Sequence, residues 1–217
     1  MAHASRRSIL VGALALALAV PAAASAAMTD KLVDPKKAFT YLDAYLKLPP
    51  AERSRFRINY YFHIGGQPLT APVWIIEGAK RTPVPLRADG RVERLPTLAQ
   101  LDGAKLQFGV EEGTKLGCTI GIETIAPPAA EMDAREVAAA LAQAAVGVKK
   151  AAGIMAMAMP KLSQVSFPGV ASGEVVMADG KHAPLPLLKG VPSFKPTDFP
   201  AAKTLRFPKT PLKLDMG

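Results

Sequence analysis

The clearest hydrophobic pattern in the chain is an alternation of period two that begins near residue 55. The large apolar members of this alternation are Phe56, Ile58, Tyr60, Phe62 and Ile64. Successive side chains of a strand point to opposite faces of a sheet. The pattern therefore predicts a strand that packs one face on the core and carries Arg57, Tyr61 and His63 on the other.

Similar segments continue to about residue 124. Residues 73–76 form a continuous apolar run, and alternating runs at 106–110 and 116–122 are joined through Glu112-Gly113. Turn residues between short alternating runs are typical of antiparallel hairpins. We expect about six antiparallel strands, with Cys118 buried beside Leu116 and Ile120 on the apolar face of the last one.

Two segments repeat their apolar residues at helical spacing. Asp34-Pro35 has the form of an N-cap followed by proline at the first helical position, and the apolar residues after it continue to Leu46. Asp133 with Glu136 three residues later resembles a capping box before an alanine-rich segment. We expect the second helix to reach about Ala151.

One short sequence phrase occurs in two similar copies, ADGRVERLP at residues 88–96 and ADGKHAPLP at residues 178–186. Aspartate accepts local backbone hydrogen bonds and glycine adopts positive φ at little cost, so both phrases predict hairpin turns and not metal sites. A three-residue loop places Leu86 opposite Val92, and Val176 opposite His182, which we expect to be half exposed and without a chemical role. The predicted structural turn residues are Asp89, Gly90, Asp179 and Gly180.

The order of elements is helix and strands, then helix and strands again. It predicts an α+β, β-rich fold whose short antiparallel strands form two related sandwich-like modules, each preceded by an amphipathic helix. We place an N-terminal module at residues 27–128 and a C-terminal module, with an extended basic tail, at residues 129–217.

Residues 1–26 have the features of a secretory signal peptide. Arg6 and Arg7 precede an apolar run from Ile9 to Val20, and Ala24-Ser25-Ala26 offers small residues for cleavage after Ala26. Residues 5–10 also resemble a twin-arginine signal, although the strong hydrophobicity favours the general secretion route. We expect a periplasmic or secreted protein with no transmembrane segment after cleavage.

Charge narrows the choice of partners. Removing Arg6 and Arg7 from the 27 lysines and arginines leaves 25 against 18 acidic residues, a net charge of +7. In an exported chain this favours an anionic envelope component or a partner protein over nucleic acid, while solvated surface charge is the alternative. Because Cys118 is the only cysteine, no internal disulfide can form.

Three features resemble a family of exported bacterial proteins of unknown function. They are the Asp-Gly phrase followed by leucine and proline, the amphipathic helix between two strand-rich halves, and Gly153 with Pro160 before the second set of strands. The resemblance covers about residues 36–190. It implies export, but it brings no assigned catalytic residues.

The candidate binding residues are Arg55, Arg57, Tyr61 and His63. Together they give one strand face both positive charge and an aromatic ring, which could hold an anionic glycan or lipid headgroup through charge-assisted hydrogen bonds. A solvated sheet face has the same composition.

The candidate metal ligands are Met155, Met157 and Met159. Thioethers suit copper(I), and a strand would place all three on one face, where His63 or His182 could join them. Alternating methionine and alanine also fills core space. We therefore predict no cofactor, with copper as the alternative.

Local catalytic motifs are absent from the sequence. There is no G-x-S-x-G elbow, phosphate loop or dinucleotide fingerprint. The leading interpretation is an exported, non-enzymatic binding or envelope-associated protein. Copper(I) handling and a hydrolase of unrecognised type are the alternatives.

Overall fold

The computed structural model describes residues 28–111, 113–153 and 161–217. In this part of the chain, fifteen strands form three antiparallel sheets, and four α-helices accompany them. The β-rich α+β class predicted from the sequence is confirmed. The predicted signal peptide lies outside the described residues. Among the described residues, no helix has both the length and the apolar character needed to span a membrane.

The largest sheet has seven strands in the order β12-β13-β9-β15-β7-β2-β3. Its strands are β2 (Phe56–Ile64), β3 (Gln67–Pro68), β7 (Leu116–Thr124), β9 (Val165–Ser166), β12 (Leu187–Leu188), β13 (Val191–Phe194) and β15 (Asp215–Met216). Strands from before and after residue 128 therefore share one sheet. The division into two related modules at that residue stays a prediction.

Strand β2 spans the residues that its alternation predicts. Phe56, Ile58, Tyr60 and Phe62 are buried in the core. The Tyr60 ring packs edge-on against Phe39, with ring centroids 5.0 Å apart. The Phe62 ring packs edge-on against Phe108 and is tilted against Phe39, at centroid distances of 5.2 and 5.4 Å. Such aromatic packing adds to the stabilisation that comes from burying these rings, and it fixes which face of β2 points into the core.

Two four-stranded sheets complete the molecule. The first has the order β1-β6-β4-β5, from β1 (Met28–Val33), β4 (Val73–Glu77), β5 (Lys80–Pro83) and β6 (Lys105–Glu111). The second has the order β11-β10-β14-β8, from β8 (Glu131–Asp133), β10 (Glu174–Met177), β11 (His182–Pro184) and β14 (Ala202–Arg206). Strand β1, which the sequence pattern did not predict, pairs with β6 along its whole length.

The first predicted helix is two short ones, α1 (Pro35–Ala38) and α2 (Leu42–Lys47). The Asp34 carboxylate caps α1 by accepting a hydrogen bond from Lys36 N–H. Tyr41 then adopts a φ of 68°, outside the helical region, and so interrupts the helix that the spacing had predicted as continuous.

Helix α3 (Leu98–Gly103) is short, and α4 (Ala134–Ala152) is the main helix. The Asp133 carboxylate caps α4 by accepting from the N–H groups of Arg135 and Glu136. The Glu136 carboxylate does not complete a capping box and instead contacts Arg55. Helix α4 buries Val137, Leu141 and neighbouring alanines in the same core as β2.

The two Asp-Gly phrases form the same turn. In each, the glycine N–H donates to the carbonyl three residues earlier, and the next residue's N–H donates to the aspartate carboxylate. Gly90 and Gly180 have φ values of 79° and 81°. The structure has the three-residue register, with Leu86 opposite Val92 and Val176 opposite His182.

Candidate functional site

The outer face of β2 carries a row of polar side chains against two glycines of β7. A Cβ atom added at Gly117 would overlap the His63 imidazole, and one added at Gly121 would lie 3.1 Å from the Tyr61 ring. The absence of side chains at these two positions lets both rings lie across β7. The result is a flat ring surface beside the edge of β7 that faces away from β2, where the described residues pair with it only at Glu123.

A buried carboxylate organises one end of this row. The Glu123 side chain is only 1% exposed, and its Oε2 lies 3.2 Å from Arg57 Nη2 and 3.5 Å from Arg91 Nη1. Its Oε1 accepts a 2.9 Å hydrogen bond from the Tyr61 hydroxyl and lies 3.9 Å from Lys213 Nζ. A buried charge requires such partners, because desolvation without them is very costly.

Asp215 extends this group of charges, which we call the Glu123 cluster: Arg57, Tyr61, Arg91, Glu123, Lys213 and Asp215. Lys213 Nζ lies 2.9 Å from Asp215 Oδ2 and 5.3 Å from the centre of the Tyr61 ring. Three cations therefore surround two carboxylates, and the cluster has a positive excess.

The cluster shifts the titration of two of its members. Burial and the hydrogen bond to Glu123 raise the pKa of the Tyr61 phenol above its ordinary value. At Lys213, burial alone would lower the pKa, but the hydrogen bond and charge of Asp215 outweigh it and raise the pKa. Both groups therefore stay protonated at neutral pH.

An unsatisfied amide lies in the same row. Asn59 is 5% exposed, between Arg57 and Tyr61, and the described residues give its Nδ2 no hydrogen-bond acceptor. A buried donor without a partner is unfavourable by about 1–3 kcal/mol. Water or a ligand oxygen would satisfy it.

A cleft of about 750 Å³ lies next to the cluster. Its lining includes residues from both faces of β7, together with Tyr41, Pro68 and Asp89. On the core side the lining is apolar and comes from β7 and the end of α4: Ile120, Ile122, Val148, Ala151 and Ala152. On the outer side it is polar and includes Tyr61, His63, Thr119, Lys213 and Asp215.

The four predicted binding residues separate in the structure. Arg57 and Tyr61 meet at Glu123. His63 shares their row, and its Nε2 lies 3.3 Å from Thr119 Oγ1. Arg55 points to α4, where its guanidinium contacts Glu136, so it takes no part in the Glu123 cluster.

Sequence reasoning missed Glu123, Arg91, Lys213 and Asp215. The signal for Glu123 was present, because residues 117, 119 and 121 share its parity on β7, but the predicted strand ended one residue short of it. Arg91 was assigned only to a turn. Asp215 reaches the cluster through β15, whose two residues show no periodicity, and Lys213 lies just before that strand.

The predicted burial of Cys118 is wrong. Its side chain is exposed, although it lies opposite the buried Phe62 in the sheet, because the described core does not cover this position of β7. Partial desolvation by neighbouring atoms nevertheless raises the pKa of its thiol to about 11. A thiol with that pKa is almost entirely protonated at neutral pH, which disfavours a nucleophilic role.

The metal hypothesis receives no structural test. Met155, Met157 and Met159 lie outside the described residues. Within the described ranges, no group of three or more histidine, cysteine, aspartate or glutamate side chains is arranged to hold a metal ion. Copper(I) binding by the methionines stays a prediction.

A second carboxylate cluster lies in the sheet of β10. Glu174 Oε1 is 3.1 Å from His182 Nδ1 and 3.8 Å from Arg206 Nη1. A cleft of about 460 Å³ beside it includes Ser172, but no hydrogen bond joins that serine to His182 among the described contacts. The predicted lack of a chemical role for His182 therefore stays a prediction.

Comparison of this chain with known protein families, with curated proteins and with solved structures finds no match. Its function is therefore inferred from the chemistry of the Glu123 cluster and the cleft beside it.

Proposed function

We propose that the protein is exported and is a non-enzymatic binding protein, which holds an anionic group of an envelope component on the outer face of β2 and β7. The observation that supports this most directly is the state of Arg57. Its side chain is 46% exposed, and its contact with Glu123 is made by Nη2. Because a guanidinium has five N–H donors, most of them remain available to a phosphate or carboxylate.

The charge balance of the cluster favours an anion as ligand. Glu123 draws Arg57, Arg91 and Lys213 to within 4.0 Å of one carboxylate. Asp215 compensates one of these charges, and a positive excess remains. The buried carboxylate thus holds the cations in place before any ligand arrives, which reduces the ordering cost of binding.

The ring surface narrows the ligand class. Tyr61 and His63 lie flat over glycines, next to charged donors. A flat apolar ring beside a cation suits a glycan that carries acidic groups, or the headgroup region of an anionic lipid. Export would place such material within reach. Cleavage after Ala26 would leave β1, which begins at Met28, and its pairing with β6 intact.

Co-sedimentation of the purified protein with purified envelope fractions at low salt tests the proposal. We expect salt-sensitive binding, and we expect Arg57→Gln to weaken it by about tenfold, which corresponds to about 1.4 kcal/mol. Arg55→Gln is the matched control, because it removes the same charge two residues away, where the partner is Glu136. Equal loss in both variants, or no salt-sensitive binding, would contradict the proposal.

Vesicles separate the two ligand sources. The protein is mixed with vesicles of phosphatidylglycerol and phosphatidylcholine, and with vesicles of phosphatidylcholine alone. Binding to the first only indicates a lipid headgroup. Binding to envelope fractions but to neither vesicle indicates an acidic glycan.

A further inference from the structure

The hairpin of β12 and β13 carries an apolar tip at one edge of the seven-stranded sheet. Leu187 and Leu188 form β12, and they are 59% and 45% exposed. Successive side chains of a strand point to opposite faces, so β12 presents an exposed leucine on each face. Single exposed apolar side chains are ordinary, but a group of them marks an interaction surface.

The turn of this hairpin places a lysine at its tip. Lys189 and Gly190 are the two central residues, with φ values of 50° and 81°, and Leu188 pairs with Val191 on either side of them. Positive φ at both central residues is the geometry of a two-residue turn that suits the twist of the strands, and asparagine or glycine is usual there. A lysine at positive φ is uncommon. It adds an ammonium group directly after the two leucines.

A third exposed leucine lies at the same end of the sheet. Leu212 is 78% exposed, and it packs on Gly169, where an added Cβ atom would overlap its side chain. The register of β13 with β9, continued from Ser193 opposite Ser166, brings Gly169 level with Gly190 of the turn. Neighbouring strands are about 4.8 Å apart, so Leu212 lies three spacings, or about 14 Å, from β12. We call Leu187, Leu188 and Leu212 the leucine surface.

The charges beside the leucine surface are cationic. Lys189 follows Leu188 directly and Lys209 lies three residues before Leu212; both are exposed, and the described residues pair neither with a carboxylate. The segments that form this end of the sheet, residues 164–173, 185–197 and 207–214, contain no acidic residue. The three acids that directly follow these segments are each paired with a cation: Glu174 with Arg206, Asp198 with Lys195 and Asp215 with Lys213.

An apolar tip with cations beside it suits the surface of an anionic membrane. A flat protein partner would cover only one face of β12, whereas fluid lipid can surround a hairpin that is exposed on both faces. Leucine side chains insert at the boundary between headgroups and acyl chains, and lysine stems extend along the apolar region while their ammonium groups stay in water. Interfacial binding of this kind increases with the buried apolar area and with the attraction to anionic lipids.

We propose that the leucine surface inserts into the interface of an anionic lipid bilayer, with Lys189 and Lys209 against the lipid phosphates. Insertion of the hairpin and of the segment at Leu212 gives two points of contact, which set this end of the sheet against the membrane. The contact is separate from the Glu123 cluster, and it does not depend on the proposed binding of an anion at Arg57.

Vesicles of phosphatidylglycerol and phosphatidylcholine provide the probe, and co-sedimentation measures binding. Leu187→Ser combined with Leu188→Ser should weaken binding by about tenfold or more, because less apolar area leaves water on insertion. Leu32→Ser combined with Val146→Ser is the matched control, since these residues of β1 and α4 are 61% and 55% exposed. Equal losses in the two double variants, or no binding by the unaltered protein, would overturn the proposal.

A tryptophan at the tip reports insertion directly. Emission of the Leu188→Trp protein should shift to shorter wavelength with the anionic vesicles, because the indole leaves water, and should not shift with vesicles of phosphatidylcholine alone. Leu32→Trp should show no shift with either vesicle, and Trp74 contributes the same background to both proteins. Sedimentation with the vesicles without a shift at residue 188 would show that the tip does not insert.

The two lysines give the electrostatic part of the test. Lys189→Asn combined with Lys209→Gln should weaken binding to the anionic vesicles by about tenfold. Asparagine is chosen at residue 189 because it tolerates positive φ. Lys80→Gln combined with Lys149→Gln removes the same charge from β5 and α4 and should have a smaller effect. Equal effects would mean that net charge alone attracts the vesicles, which contradicts a contact at the leucine surface.

Arg57→Gln separates the leucine surface from the Glu123 cluster. Added to the Leu188→Trp protein, it should leave the emission shift unchanged at saturating vesicle concentration. If vesicle binding requires Arg57 but not the leucines, insertion of the leucine surface is wrong and anion binding at Arg57 stands. If binding requires the leucines but neither vesicles nor envelope fractions distinguish Arg57→Gln from the unaltered protein, the leucine surface stands and the function proposed for Arg57 fails.

Discussion

The two Asp-Gly hairpins have the same turn hydrogen bonds, but their surroundings differ. The first turn packs against β2: Phe62 N–H donates to Gly90 C=O at 2.9 Å. The space around Gly180 in the second turn is open, since a Cβ atom added there would meet nothing within 4 Å. The bond that ties this turn to another segment is made at Ala178, whose N–H donates to Ala201 C=O at 2.9 Å. The glycine therefore packs against another strand in the first copy, whereas in the second copy it makes only contacts within the turn.

The residue after each glycine shows the difference in chemical terms. Arg91 reaches the buried Glu123, whereas Lys181 pairs with Asp179 of its own turn. Near the second turn the cluster of Glu174 is half exposed. A duplicated phrase thus does not mark a duplicated site, and the functional difference is set by which strands pack against the turn.

Removing the central carboxylate from each cluster should give the largest contrast. Glu123→Gln leaves three cations around a neutral, buried side chain, and we expect a loss of about 3–5 kcal/mol in the free energy of unfolding. Glu174→Gln should cost less than about 1 kcal/mol, because that side chain is 38% exposed. Urea unfolding followed by the fluorescence of Trp74 measures both. Similar losses would refute the contrast between the two clusters.

The glycines of the turns should give the next largest contrast. Both residues have positive φ, which costs an alanine about 1–2 kcal/mol. At Gly90 the new Cβ would also overlap Phe62 C=O and lie 3.3 Å from Leu69 N. We therefore expect Gly90→Ala to lose about 3 kcal/mol or more, because overpacking adds to the φ cost.

Gly180→Ala is the matched variant, with an expected loss of about 1 kcal/mol. The same urea unfolding measurement compares the two. An equal effect at both glycines would mean that the hairpin at residues 86–92 separates from β2 without cost.

Local chemistry made part of this fold predictable. The period-two pattern gave β2 with its bounds, and the turn residues gave the register of both hairpins. The interruption at Tyr41 was not predictable from spacing, because the spacing of the apolar residues continues through it. The pairing of β1 with β6 joins residues from 73 positions apart, at Val33 and Leu106, to 83 positions apart, at Met28 and Glu111, so no local pattern signals it.

Only the part of the site that lies on strand β2 was predictable from the sequence. Arg57, Tyr61 and His63 follow from the outer face of β2. Their meeting with Glu123 requires the register of β2 against β7, and Lys213 lies two residues before a strand of only two residues. Cys118 was misplaced because alternation shows which face a side chain is on but not how far the core extends beneath it.

The smallest expected contrast is in the response to acid. The hydrogen bonds from the Lys181 side chain and backbone hold the pKa of the Asp179 carboxyl below its ordinary value. A folded-state pKa below the unfolded one stabilises the protein above the unfolded value, about pH 4, and this contribution is lost as the pH falls through the folded value. Asp179→Asn should therefore lower stability slightly near neutral pH and leave it unchanged in strong acid. Because the Asp179 carboxyl is exposed, the difference should also shrink with added salt. Urea unfolding of both proteins at neutral and strongly acidic pH measures it, and a difference that grows as the pH falls would have the wrong sign for this interaction.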